Sequence, residues 1–347
     1  MRGLYAPPYS IRPVPVTCAL PAAAYGLKRS AQTNADPMDI LQETNFDFLG
    51  PKTTGKVRDM YERGGKLVLV TTDRHSSFDR IIAHIPWKGQ VLNQLSAWWF
   101  ERTKDIVPNH ILAIPDPNVT VARKCTMVPV EAVVRGYLTG VTDTAAWTRY
   151  ASGARDFGGT SLPEGMRKNQ KLPQPVFDPT TKEAAHDRTL SPEQMIAESF
   201  ITRTLFDRVK QTALALFARG QDIAARSGLI LVDTKYEFGT DDNGALVLID
   251  EIHTPDSSRY WQHDSYAARF AAGEEPQYFD KEFLRLWFRD HCDPYRDAAL
   301  PPAPPELVQE LSRRYIAMYQ QITGTKFQYG ETPILARIEK NLKSFAF

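Results

Sequence analysis

Cysteine is scarce in this chain, its acidic and basic residues cancel, and no apolar run reaches membrane length. The three cysteines, Cys18, Cys125 and Cys292, lack CxxC spacing and form no even set, which argues against a disulfide framework or a zinc knuckle. Lys and Arg number 42 against 41 Asp and Glu, a formal charge of +1. A protein that coats duplex nucleic acid carries a clear basic excess, so no nucleic-acid partner is expected. Nothing approaches the roughly 18 consecutive apolar residues of a transmembrane helix, so no membrane partner is expected either. What is present is ordinary globular material. Of 347 residues, 42% are apolar and 24% charged, enough for one large domain or two intimate ones. A reducing, cytoplasmic setting is the expectation.

Residues 1–37 differ from the rest. Asp36 is the first acid, Arg2, Arg12, Lys28 and Arg29 are basic, and Pro7, Pro8, Pro13, Pro15 and Pro21 break any helix. The low acid content resembles a transit peptide, which would allow an organelle, but the prolines spoil the usual amphipathic helix. The segment is read as a disordered leader or as sequence ahead of a true start at Met38, and is expected not to pack. Next comes a β-rich stretch to about 125, with Lys66–Thr72 a strand after the turn-forming Gly64-Gly65, and Gln90–Asp105 a helix. A central stretch, 126–280, opens with a strand over Met127–Leu138, where Pro129 marks an edge, bulge or crossing. Residues 151–190 read as a long ordered loop. Ser191-Pro-Glu-Gln194 starts a helix that runs to Gly228, and two strands follow, Leu229–Gly239 and Ala245–Ile252. The remainder, 281–347, reads as helical, with a Pro-rich break at 301–305 before one last helix. Strands, then a mixture, then helices give an α+β class with a cleft between lobes.

The segment richest in chemistry is Val232-Asp-Thr-Lys-Tyr-Glu-Phe-Gly239 with Leu248-Ile-Asp-Glu251. Strand alternation puts Asp233, Lys235 and Glu237 on one face. A turn centred on 241–244 pairs residue i with 485 − i, which sets Asp250 opposite Lys235 and diagonal to Glu237. Two carboxylates held close suit Mg²⁺, which keeps water and nucleotide phosphate as its other ligands. A solvated, salt-bridged face is the plainer alternative, but the apolar Leu229–Val232 run reads as a buried strand.

Four more segments carry candidate ligands. In Gly55-Lys-Val-Arg-Asp-Met-Tyr61, which is not a Walker loop, Lys56 and Arg58 alternate and can face phosphate oxygens. Thr72-Asp-Arg-His-Ser-Ser-Phe-Asp79 ends a strand in a polar cluster, with His75 read as structural or exposed. Arg135 ends the apolar run of Met127-Val-Pro-Val-Glu-Ala-Val-Val-Arg135 beside a glycine. Glu251-Ile-His-Thr-Pro-Asp-Ser-Ser-Arg259 places hydroxyls and an arginine next to the hairpin.

In order, these segments resemble the SAICAR synthetase family from about Gly55 to about Thr325. Gly55-Lys-Val-Arg-Asp, Pro129-Val-Glu-Ala-Val-Val-Arg-Gly-Tyr137, Asp233-x-Lys-x-Glu-Phe-Gly239, Asp250-Glu and Thr254-Pro-Asp-Ser-Ser-Arg259 carry the likeness. Pro179-Thr-Thr-Lys and His186-Asp187 make it closest to the longer, single-function form. The resemblance implies a SAICAR synthase-like α+β fold, with a kinase-like ATP cleft between a small β-rich N-terminal lobe and a larger α+β lobe. It implies ATP- and Mg²⁺-dependent ligation of L-aspartate to carboxyaminoimidazole ribonucleotide, giving SAICAR, ADP and phosphate in de novo purine (IMP) biosynthesis.

By the same resemblance Gly55, Lys56, Arg58, Met127, Val128 and Glu131 belong to ATP, and Glu237 and Asp250 to the metal. Arg135, Asp233, Lys235, Ser258 and Arg259 belong to the ribonucleotide, with Asp73, Ser76, His186, Asp187, Lys281 and Arg285 as further carry-overs. Lys56, Lys235 and Asp233 are the catalytic set. Val141 stands where the family commonly has serine, and Thr142 is the substitute donor. Partners are small molecules only, and the chain is expected as a monomer or small homo-oligomer. An inositol-polyphosphate-type kinase is the alternative through Asp233-x-Lys235, although it leaves Glu-Phe-Gly and Thr-Pro-Asp-Ser-Ser-Arg without a role. A non-catalytic nucleotide-binding protein would be expected to have lost Lys56, Glu237 or Asp250.

Overall fold

In the computed structural model, which describes residues 39–182, 188 and 190–347, the β-branched runs pair into two main antiparallel sheets. Residues 1–37, with Cys18, lie outside the described residues, as do His186 and Asp187. The first part contains β1 (Lys52–Thr54), β2 (Arg58–Arg63), β3 (Lys66–Thr71), the hairpin β4 (Arg74–Ser77) and β5 (Arg80–His84), helix α1 (Lys88–Thr103), β6 (Ile111–Asp116) and β7 (Val119–Arg123). Its sheet runs in the order β1-β2-β3-β7-β6. Gly64 and Gly65, at φ +57° and +71°, make the expected β2–β3 turn.

The second part opens with β8 (Thr126–Leu138), α2 (Ala146–Ala151), β9 (Asp156–Phe157), β10 (Thr160–Ser161), β11 (Gln170–Phe177) and β12 (Thr180–Thr181). It continues with α3 (Pro192–Ala197), α4 (Arg203–Arg226), β13 (Leu229–Thr240), β14 (Leu246–Ile249), β15 (Ser258–Gln262) and α5 (His263–Ala272). Helices α6 (Glu282–His291), α7 (Pro305–Thr323) and α8 (Ile334–Ser344) close the chain. The central sheet runs β11-β8-β13-β14, with β12 also on β8 and β15 also on β13. Residues 39–347 form one compact unit.

Four expectations need correction. The stretch 151–190 is not a bare loop: it supplies β9 to β12, and β11 pairs with β8. The helix after Ser191 has its full capping box but stops at Ala197. Ser199 is left-handed at φ +61°, and the Thr202 hydroxyl accepts from the Leu205 amide to start α4 afresh. The apolar period ran through this break because Met195, Ile201 and Phe206 all enter one core. The β13–β14 register pairs Glu237 with Ile249 and Thr240 with Leu246, so i faces 486 − i rather than 485 − i. At the end of the chain there is α8 as well as α7, and α5 was not anticipated.

Packing explains which face is left for chemistry. Helix α4 lays Phe206, Val209, Ala213, Leu216, Phe217 and Ala224 on one side of the central sheet, against Val130, Ala132, Val134, Leu231, Tyr236 and Phe238. Burying each such large side chain contributes about 1.5–3 kcal/mol. Pro129 lies within the bulge where the β8–β13 register shifts, a position that tolerates the missing N–H. Helix α8 returns to the first sheet, adding Ile334, Ile338 and Leu342 to Tyr61, Val68, Val70 and Val119. There the buried Arg337 grips Asp116 through Nε at 3.0 Å. The other side of the central sheet carries its charged residues.

The α4–sheet contact is close enough to require glycine. A Cβ on Gly220 would stand 2.4 Å from His253 Cε1 and 2.7 Å from Leu231 Cδ2. Gly220→Ala should therefore destabilise the fold by about 1–3 kcal/mol through overpacking, despite alanine's better helix propensity. Chemical denaturation measures this directly, and an unchanged midpoint would show that α4 has room to move.

Candidate active site

The side chains of β8, β13 and β15 that face away from α4 form two rows of charge. In the first row, Arg135 on β8 is paired in register with Asp233 on β13, and Asp233 with Arg259 on β15. Arg259 Nη1 donates to Asp233 Oδ2 at 2.7 Å. In the second row, Glu131 stands opposite Glu237, a like-charge pair that alone would be destabilising. Lys235, between the rows, donates to Glu131 Oε1 at 2.6 Å and to Glu237 Oε1 at 3.2 Å. Burial works to discharge Lys235, but Glu237, Glu131 and then Asp250 outweigh it and push its pKa up. Burial also opposes the charge on Arg259, and Asp233, Glu282 and Asp280 more than restore it.

These rows wall a cavity of about 670 Å³ lined by Glu131, Arg135, Asp233, Lys235, Ser258, Arg259, Lys281 and Arg285, all anticipated from the sequence. Five of these are cations, set among six lining acids (Glu131, Asp233, Asp79, Asp143, Asp256 and Asp280), so the space presents both signs of charge. Thr142, Asp143, Thr144 and Ala145 also line it, whereas Val141 is not among the lining residues. Phe78 and Tyr295 line it too, edge to face at 5.4 Å. Lys281 is exceptional among the cations. Burial lowers its pKa to about 8, with Arg285 and Lys88 adding to the effect and Asp256 opposing it.

The other anticipated residues divide into those next to the cavity and those elsewhere. Lys56 and Arg58 do not point together: Lys56 pairs with Asp79 at 2.5 Å, and Arg58 Nη1 with Asp250 Oδ1 at 2.5 Å. Arg58 also reaches Glu251 at 3.3 Å, and these acids hold its pKa up against burial. Asp250 does not reach this place by facing Lys235. Strand β14 ends at Ile249, and a left-handed φ of +66° at Asp250 turns the chain, which is how the residue serves this region in spite of the one-residue register difference. Glu237 pairs with Lys182 as well as Lys235.

Asp73 is committed elsewhere. Its carboxylate accepts from the Leu41 amide at 2.9 Å and the Gly89 amide at 2.8 Å, and burial raises its pKa to about 6. Ser76 is buried and is not among the lining residues, Val128 points into the hydrophobic core, and Met127 is exposed. Gly55 makes a turn in which its amide donates to the Arg58 carbonyl at 2.8 Å. His75 is fully buried with neither ring nitrogen hydrogen-bonded, and burial pulls its pKa well down, so it is structural.

Several residues of the site were given no role from the sequence. Asp178 accepts from both Arg135 Nε at 2.7 Å and Arg149 Nη1 at 2.6 Å. Asp256, in the loop before β15, accepts from Lys88 Nζ at 3.0 Å and from the Tyr315 hydroxyl at 3.1 Å. Lys88, Lys281 and His75 hold the Asp256 pKa down against burial. The Thr254 hydroxyl accepts from the amides of Asp256 and Ser257, both at 3.2 Å, fixing the loop that presents Ser258. A Lys at the start of an apolar helix and an Asp inside a Thr-Pro-x-Ser turn look like surface residues until the fold brings them together.

For a metal, Glu237 and Asp250 offer hard oxygen donors, and their present partners, Lys182 and Arg58, are cations that an ion would replace. Among the described residues no three His, Cys, Asp or Glu side chains converge as a ready-made metal site. Magnesium fits such an incomplete donor set, because it usually takes its remaining ligands from water and phosphate.

The chain is similar to known proteins over most of its length. Residues 52–302 match the family model described as SAICAR synthetase. The chain is 57% identical over 293 residues to the phosphoribosylaminoimidazole-succinocarboxamide synthase of Legionella pneumophila (strain Lens), covering 84% of this chain and 94% of the relative. It is 53% identical over 309 residues to the Arabidopsis thaliana protein of that name, described as chloroplastic, covering 87% of this chain and 75% of the relative. A solved structure titled SAICAR-synthase from Saccharomyces cerevisiae complexed SAICAR is similar at TM-score 0.72 and 32% identity, over 83% of this chain and 100% of that one.

The Lys88–Asp256 pair gives the site its stability test. Lys88 is fully buried and Asp256 nearly so. Lys88→Met should cost about 3–5 kcal/mol, since it strands a buried carboxylate. Urea unfolding of the variant measures it, and a loss below about 1 kcal/mol would mean that water reaches Asp256.

Proposed function

This chain belongs to the SAICAR synthetase family, and on that basis we propose that the cavity on the β8–β13–β15 face holds the carboxylated aminoimidazole ribonucleotide while ATP is bound on its Lys56–Arg58 side. The enzyme is a ligase of purine biosynthesis that joins L-aspartate to that ribonucleotide at the expense of ATP, giving SAICAR, ADP and phosphate. The observation that carries the site assignment is the gathering of Arg135, Lys235, Arg259, Lys281 and Arg285 around one cavity, with the carboxylates of Glu237 and Asp250 on the strands and turn beside it. The kinase alternative has no comparable support.

A carboxylate is a poor electrophile, so the substrate's carboxylate oxygen first attacks the γ-phosphorus of ATP and ADP leaves. The aspartate amine then attacks the acyl carbon, and phosphate departs with one former carboxylate oxygen. Lys235, charged in its carboxylate surroundings, neutralises the activated carboxylate, and Lys56 the transferring phosphoryl group. Asp233, on the same strand face, is our assignment for the acceptor of the amine's proton. Arg135, Arg259 and Ser258 orient the ribonucleotide, with Lys281 and Arg285 supplying further positive charge. No covalent enzyme intermediate is required, so the rate rests on positioning and charge. Glu237 and Asp250 would hold Mg²⁺, which when bound draws charge from the phosphate oxygens.

No helix among the described residues is long and apolar enough to cross a membrane. Cytoplasmic action is our reading, carried by the few cysteines of the sequence and their lack of paired spacing.

Two measurements test this function. With the imidazole carboxylate isotopically labelled in oxygen, released phosphate should carry one labelled oxygen per turnover, and labelled aspartate should give none. Label retained wholly in the product, or arriving from aspartate, overturns the order of steps. Separately, Asp250→Asn and Glu237→Gln should each lower turnover about a hundredfold at limiting Mg²⁺ and recover partly at higher Mg²⁺, with melting temperature little changed. Wild-type turnover in both variants would make the two carboxylates purely structural.

A further inference from the structure

We propose that Asp178 is a positioning residue that aims Arg135 into the cavity, through the shared contact of one carboxylate oxygen with Arg135 Nε and Arg149 Nη1. The inference rests on the reading of Arg135 as a ligand of the ribonucleotide.

Asp178 directly follows β11, and its amide donates to the Val133 carbonyl at 2.9 Å, which delivers the side chain to β8 beside Arg135. The residue is fully buried. Its Oδ2 accepts from Arg135 Nε at 2.7 Å and from Arg149 Nη1 at 2.6 Å, while Oδ1 has no hydrogen-bond partner. A buried carboxylate held only for stability would be expected to satisfy both oxygens. Here one oxygen serves two guanidiniums and the other none, so the arrangement favours their placement over the satisfaction of the acid.

The consequence for Arg135 is geometric. Nε is taken by Asp178, and Nη2 donates to the Thr144 carbonyl at 3.1 Å. Two fixed contacts set the guanidinium plane and leave Nη1, which has no partner among the described residues, as the donor for a ligand. Asp233, the register partner of Arg135, is occupied by Arg259. Arg149 is steadied on its far side by the Phe157 ring, 4.5 Å from the guanidinium carbon. Two guanidiniums against one carboxylate leave a surplus of one positive charge on this wall. Without the anion between them the two arginines would repel, and Arg149, the more exposed, would swing away.

The test uses the full chain, with steady-state kinetics in which each of the three substrates is varied in turn. Asp178→Asn keeps the volume and removes the charge. It should raise the KM for the ribonucleotide about tenfold, with kcat and the KM values for ATP and aspartate within about twofold of wild type. Asp178→Glu, which restores the charge, should recover part of the loss and serves as the reporter should Asp178→Asn fold poorly: its KM for the ribonucleotide alone should rise. Arg135→Met reads the underlying assignment. If it raises the ribonucleotide KM while neither Asp178 variant does, Asp178 has no positioning role and the assignment of Arg135 stands. If Arg135→Met leaves that KM unchanged, the assignment fails and the inference with it. Equal losses in all parameters, tracking a lower folded fraction, would reduce Asp178 to a structural ion pair and overturn the proposal.

Discussion

The site depends on the in-register pairing of Arg135, Asp233 and Arg259 across β8, β13 and β15. Taking a charge out of water costs several kcal/mol, and an interior charge is tolerated only where an opposite one stands beside it. The strand register brings Asp233 beside both arginines: Arg259 takes it as an ion pair, while Arg135 draws its partner from Asp178. Lys235 pairs with both Glu131 and Glu237, which face one another and would otherwise repel. The arrangement is possible because the opposite face of the same strands is mostly apolar and anchored by α4. Period-two alternation thus separates a stabilising face from a reactive one within single strands.

Alternation is a local property, and it was legible in the sequence. Asp233, Lys235 and Glu237 share a face because each is two residues from the next, whatever the partner strand does. Register is not local. The hairpin loop closes through Asp241 and Ala245, whose backbone bond at 3.0 Å sets the pairing one residue away from that expected from the turn residues. Such a slip would ordinarily turn a side chain to the wrong face. The left-handed turn at Asp250 lies beyond the last paired residue and makes the slip harmless there. Strand alternation therefore accounts for the facing of Glu237, whereas Asp250 arrives through the turn and not by the expected pairing.

What stayed hidden was hidden for physical reasons. Lys88 meets Asp256 across 168 positions of sequence, and Arg135 meets Asp178 across 43. No periodicity carries such pairings, and each acid taken alone looks like a turn residue. The 151–190 stretch read as loop because β9, β10 and β12 are two residues long, too short for any pattern. Strand β11 contains Pro173 and Pro175 within the span where its register against β8 shifts. Prolines in a strand argue against a regular ladder, and the fold accommodates them with an irregular one. Along α3 and α4 the failure was the reverse, since continuous amphipathic period concealed a real break at Ser199.

The cations of the cavity fall into two energetic kinds, and the difference bears on how a polyanion is held. Lys235 and Arg259 sit in fields of internal carboxylates that stabilise their charge before any ligand arrives. A ligand that recruits them competes with Glu131, Glu237 and Asp233, so they contribute orientation more than affinity. Lys281 is the opposite case. Burial, with Arg285 and Lys88 nearby, leaves its charge poorly compensated even beside Asp256, and brings its pKa down to about 8. An anion reaching Lys281 supplies compensation that the fold has not provided, and binding there draws in or secures a proton. The gain from such contacts is larger because no internal ion pair has to be broken first. On the proposed assignment this holds for Lys281 alone, since Arg285 already pairs with Glu282 at 3.3 Å. In the proposed function the strand face, whose Lys235 and Arg259 are already paired with carboxylates, is the template against which the reacting groups are aligned.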